Sequence, residues 1–200
     1  TSGLNIKIIF LLFTAMLAVS TSPIIARYLE NVPAVAISFW RMGFGSLILW
    51  GVGLVKKQVP LRNENLKRTL IAGIFLGIHF ALFFGAIKLT TIANATFLGT
   101  LAPLITFFIE KFILKRNHAP TLMFGLGLAI CGAIIIVGNR FDFSSNYTIG
   151  NLLAVACSIF LGMAFIISEN VRKKVGIISY SRTLFSTAAV TLFIMAFFTE

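Results

Sequence analysis

Acidic residues are scarce, and none is placed for chemistry inside a membrane. The six are Glu30, Glu64, Glu110, Asp142, Glu169 and Glu200, and all lie between long apolar runs or at their ends. That leaves no support for a relay of intramembrane carboxylates, a common proton path in pumps. Charge of either sign is also sparse, at 12% of residues against about 25% in an ordinary globular domain. A chain so poor in charge cannot coat itself with a water-facing surface. Cysteine is limited to Cys131 and Cys157, without paired spacing or metal-ligating neighbours, so both read as small packing residues. Walker loop, zinc-ligand spacing and nucleophile elbow are all missing, and no cofactor, metal or catalytic residue is expected.

What is present is oil. Hydrophobic residues make up 58% of the 200, including 21 phenylalanines. Charge-free runs occupy 8–26, 69–87, 89–109, 117–139 and 143–168, and two more, 31–55 and 175–199, each carry one arginine. Each is close to the roughly 20 residues that cross a bilayer core of about 30 Å. The expectation is an all-α membrane protein, a polytopic bundle of seven spans.

The basic residues alternate between connections. Twelve lie at Lys7 or after spans two, four and six (Lys56, Lys57, Arg62, Lys67, Arg68, Lys111, Lys115, Arg116, Arg172, Lys173, Lys174), against Arg27, Lys88 and Arg140 elsewhere. This asymmetry predicts a cytoplasmic N-terminus. It also accounts for the net charge of +11 without nucleic acid. The first apolar run is too long for a signal-peptide core.

Shifting the chain by 141 residues aligns Ile37, Ser38, Arg41 and Phe44 with Ile178, Ser179, Arg182 and Phe185, and so pairs the only two arginines within spans. That shift covers five helices, an odd number, so the second copy must be inverted in the membrane. Arg41 then lies about 10 Å below one boundary and Arg182 at a similar depth from the other. Inverted repeats of this kind are common in secondary transporters. The predicted organisation is a five-span unit over 1–140 and the start of an inverted second unit over 141–200. Seven spans are then an incomplete set; Thr1 in place of methionine fits an excerpt, and three further helices are expected after Glu200.

The segments VPAVAISFWRMGFGSLIL, ANATFLGTLAPLITFFIEKFIL and APTLMFGLGLAICGAIIIV, taken in this order, resemble the EamA family of the drug/metabolite transporter superfamily. The matching residues are Arg41 in span two, Ala93, Ala95, Pro103 and Glu110 in span four, and Gly125, Gly127 and Gly132 in span five. The resemblance implies ten spans in two inverted halves and transport of a small metabolite, often outward.

Several residues stand out against the oil. Arg41 either meets a cavity, where it could hold a carboxylate or phosphate, or snorkels to the headgroups. Arg182 raises the same two readings. His79, at mid-span, is a titratable group or a neutral interhelical hydrogen-bonding partner, with Phe75 and Phe83 one turn away on its face. In span four, Asn94 and Thr100 are polar, and Thr96, Thr100 and Pro103 share a face. Pro103 and, in span one, Pro23 each free a backbone carbonyl or permit a bend. Trp40 lines a pocket or anchors at the interface, and Glu110 is a surface or gate charge. Gly73 and Gly77, and Gly125, Ala129 and Ala133 at four-residue spacing, are expected to let helices pack closely.

Together these predict a secondary transporter in the bacterial plasma membrane. It would export a small polar or anionic metabolite, such as an amino acid, by alternating access. Arg41, Trp40, His79, Phe83, Asn94, Thr100 and Arg182 are the candidate binding residues, with Pro23, Pro103 and Glu110 as candidate kinks or gates. The expected partners are membrane lipids and a small solute, with a homodimer as an option and nucleic acid excluded. The competing readings are a seven-helix receptor, an intramembrane enzyme built on His79, and a channel.

Overall fold

A computed structural model describes residues 6–55, 58–138 and 146–199, so Lys56, Lys57, Arg140, Asp142 and Glu200 lie outside the described residues. The described chain is helical, without strands. The helices are α1 (Ile6–Tyr28), α2 (Ala34–Val55), α3 (Asn63–Leu89), α4 (Ile92–Gly99), α5 (Ala102–Phe108), α6 (Pro120–Gly138), α7 (Asn146–Arg172) and α8 (Ile177–Thr199). A π-helical turn, Ile109–Ile113, extends α5, so that α4, α5 and the turn form one broken span, Ile92–Ile113. Among the described residues, six spans are long and apolar enough to cross a membrane, and α6 contributes a shorter apolar stretch over Pro120–Gly132. Each of the seven predicted runs therefore meets a helix. The chain is an integral, polytopic α-helical membrane protein.

α3 is the axis of the bundle. Half of its apolar window is buried, against 6% for α1, which lies at the edge. It runs antiparallel to α7, with Phe75 beside Phe160 and His79 bonded to the Cys157 carbonyl. It runs parallel to α8, and here the small residues act as expected. A Cβ on Gly73 would stand 2.6 Å from Thr187 Cβ, and one on Gly77 would stand 3.0 Å from the Ala188 carbonyl oxygen. Without hydrophobic drive between helices in lipid, such close backbone contact is a main source of cohesion. In α6, Gly125 and Gly127 do not act this way, since nothing lies within 4 Å of a Cβ built at either, whereas one at Gly132 would stand 3.3 Å from the Phe97 ring.

α2 and α8 run antiparallel. Phe39 meets Phe193 near one end, Gly45 meets Phe185 at the middle, and Gly53 meets Arg182 near the other. At the crossing the hydroxyls of Ser46 and Ser186 are 2.7 Å apart.

The two ends of the bundle are tied differently. At the charge-poor end, Arg27 donates to the carbonyls of Ile87 and Lys88 at 2.6 and 3.2 Å, satisfying the end of α3. Lys88 returns the favour by donating to the carbonyls of Leu29, Glu30 and Val32 between α1 and α2. At the charge-rich end, Arg116 bridges Glu110 (2.9 Å) and Glu169 (2.8 Å), linking the π-turn to the end of α7. Hydrogen bonding to Glu169, helped by the charges of both carboxylates, raises the Arg116 pKa above its ordinary value.

Candidate functional site

A cavity of about 650 Å³ opens between α1, α2, α3, α4 and α7. Its size lies within the usual range of small-molecule sites. The break in the fourth span shapes one wall. Pro103 sits in the first turn of α5, where its missing N–H costs nothing, and α4 ends at Gly99. A Cβ on Gly99 would stand 3.0 Å from the Phe83 ring and 3.2 Å from the Cys157 sulfur, so a larger residue would push these side chains aside where the chain turns against α3 and α7.

Arg41 reaches the cavity from α2. Its Nη1 donates to Ser22 Oγ at 2.8 Å, and the guanidinium lies over the rings of Phe80 and Phe84, at 4.7 and 5.7 Å from their centroids. No carboxylate pairs with it among the described residues. A cation within an apolar span costs several kcal/mol unless something solvates it. One hydroxyl and two ring faces are a partial answer, and the open side faces the cavity.

His79 supplies the complementary group. Its Nδ1 lies 2.8 Å from the Cys157 carbonyl oxygen, which can only accept, so Nδ1 carries the hydrogen. In a neutral ring the other nitrogen, Nε2, is an acceptor, and the side chain lines the cavity. Phe83 stacks on the imidazole at 6.0 Å and Phe80 meets its edge at 4.9 Å. Phe75 does not join this stack but pairs with Phe160. The result is an aromatic-walled cavity with a guanidinium and an imidazole, and with Ser20, Thr96 and Thr100 also in its lining.

Of the residues the sequence singled out, Arg41, His79, Phe83, Thr100 and Pro23 line this space. The others are placed elsewhere. Trp40 is one residue, or 100° of helix, from Arg41; it lies 58% exposed on the outer face, stacked on Phe44. Asn94 is buried away from the cavity, where its amide donates to the Tyr147 hydroxyl (3.0 Å) and to Asn151 Oδ1 (3.2 Å). Thr90 donates to the same Asn151 oxygen, making Asn94 part of a polar lock between α3, α4 and α7. Arg182 lies over the Trp50 ring at 4.4 Å, on the α2–α8 pair. Pro103 shapes the break without lining the cavity, and Glu110 belongs to the ion pairs at the charge-rich end.

Thr96, Phe80 and Phe97 are cavity residues beyond that set. Thr96 had a legible signal, since it shares a face with Thr100 one turn on. Its Oγ1 is buried with no hydrogen-bond partner, a polar atom beside the cavity still to be satisfied. Phe80 and Phe97 had no such signal among 21 phenylalanines.

This arrangement is matched by sequence comparison. The model of the EamA-like transporter family matches residues 6–138, which include every helix around the cavity except α7. The chain belongs to the EamA-like transporter family. Among its relatives is the aromatic amino acid exporter YddG of Ancylobacter novellus, 28% identical over 158 residues, 74% of this chain and 53% of that protein. Another is the uncharacterized transporter YyaM of Bacillus subtilis, 25% identical over 103 residues, 49% of this chain and 33% of that protein. The chain thus spans about half the length of the first relative and a third of the second.

Proposed function

We propose that the protein exports a small amphipathic metabolite bearing a carboxylate, with an amino acid as the type case, by alternating access. The observation that carries this reading is the Arg41 guanidinium, without a carboxylate partner among the described residues and lining a cavity walled by Phe80, Phe83 and Phe97. The cargo's own carboxylate would complete its shell through charge-assisted hydrogen bonds. His79 Nε2 would accept from an ammonium or other N–H donor on the same solute. An apolar side chain would lie against the phenylalanines. The relative named for aromatic amino acid export is in keeping with this chemistry.

The reading includes two inverted five-helix units, the first over residues 1–140 and the second beginning at 141. An inverted duplication requires α2 and α8 to be antiparallel, and they are. It also includes a bacterial plasma-membrane location with the N-terminus and the charge-rich end in the cytoplasm.

The test is counterflow in proteoliposomes loaded with unlabelled phenylalanine, tryptophan or leucine. Saturable entry of labelled solute, strongly weakened in Arg41→Ala, is the expected outcome. Non-saturable flux would point to a channel. Full counterflow in the variant would remove Arg41 from the site.

A further inference from the structure

The charge-rich end of the bundle carries a second, separate cleft, formed where α3 begins and α7 ends. Its mouth is a cavity of about 550 Å³ that includes Arg62, Arg68, Asn170 and Lys174. Glu64 is the one acid there, and it is bound to Arg68 Nε at 2.8 Å. Neither Arg62 nor Lys174 has a carboxylate partner among the described residues. The neighbouring acid, Glu169, is occupied by Arg116 and Lys173. The mouth therefore holds an excess of positive charge.

A second cavity, of about 350 Å³, adjoins this mouth and shares Arg68 and Asn170 with it. Its character is different: Ile71 of α3, Ile166 and Ile167 of α7 and Leu114 give it an apolar wall, beside the paired Arg116 and Glu169. Ile71 and Leu114 are exposed, so the groove is open to the surrounding medium. A cationic mouth joined to an oily groove, at the level where membrane spans end, fits an amphiphile with an anionic head. A soluble anion would use the mouth and leave the groove empty.

We propose that this cleft binds an acidic phospholipid, with the phosphate on Arg62, Arg68 and Lys174 and an acyl chain along Ile71 and Ile166. Basic residues near a membrane surface favour acidic lipid by about fivefold each. The site is independent of the solute cavity, which lies among α1, α2, α3, α4 and α7.

The experiment is native mass spectrometry of the intact protein, with phosphatidylglycerol and phosphatidylcholine supplied in equal amounts. Wild type should retain phosphatidylglycerol preferentially. Arg62→Gln with Lys174→Gln should reduce the preference by about fivefold per charge removed. Lys115→Gln, outside the cleft, should leave it unchanged. Ile166→Trp fills the groove without touching a charge and should weaken retention as well. Equal retention of the two lipids by wild type, or an unchanged preference in the double variant, would overturn the assignment. So would displacement of phosphatidylglycerol by inorganic phosphate together with full retention in Ile166→Trp, the signature of a soluble-anion site.

Discussion

The helix starts ISFWR (Ile37–Arg41) and ISYSR (Ile178–Arg182) carry the same serine and, three residues on, the same arginine. The serines behave alike. Ser38 is fully buried, with its hydroxyl 3.0 Å from the Phe80 carbonyl oxygen, and Ser179 donates to the Val59 carbonyl at 2.6 Å. The arginines do not. Arg41 turns inward over Phe80 and Phe84 to a cavity, whereas Arg182 lies on the exposed ring of Trp50. The neighbours decide the difference. α1 offers Ser22 to Arg41, while Gly53 leaves room for Arg182 Nη1, 3.1 Å from where a Cβ would be. One copy of the motif lines a cavity, and the other lies against an aromatic ring.

That contrast can be broken by mutation. Arg41→Ala should weaken solute handling most, by about 10–100-fold in apparent affinity, the worth of a lost charge-assisted bond or two. Counterflow titration reads this directly. Asn94→Ala should act through folding instead, since it removes the donor to Tyr147 and one of the two donors to Asn151. A loss of about 1–3 kcal/mol in stability is expected, with near-normal affinity in the surviving protein. Thermal unfolding in detergent alongside counterflow separates the two effects. Ser38→Ala and Ser179→Ala should cost matched amounts, about 0.5–1.5 kcal/mol each, if the motif copies share a structural role. Arg182→Gln should be mildest, about 0.5–1 kcal/mol from the contact with Trp50, and leave apparent affinity intact. A transport defect in Arg182→Gln equal to that in Arg41→Ala would erase the distinction.

The sequence made the helices legible because seven apolar runs of bilayer length leave little else to build. The break near Pro103 was also legible, and so were Arg41 and His79, the rare polar groups in oil. The facing of each helix was not. α2 is apolar nearly all round, so no polar stripe shows that Arg41 points inward while Trp40, beside it, points out. The partners of Asn94, namely Tyr147 and Asn151, lie more than fifty positions away, and no local pattern reveals them. The same limit hid Phe80 and Phe97, whose role depends on which of many similar rings lines the gap.

The central claim is that cargo supplies the counter-charge of Arg41. The direct measurement is counterflow of an amino acid against its carboxamide, in wild type and in Arg41→Gln. Wild type should favour the free acid by about 10–100-fold, and the variant should treat the two nearly alike. Equal handling by wild type, or an undiminished preference in the variant, would contradict it.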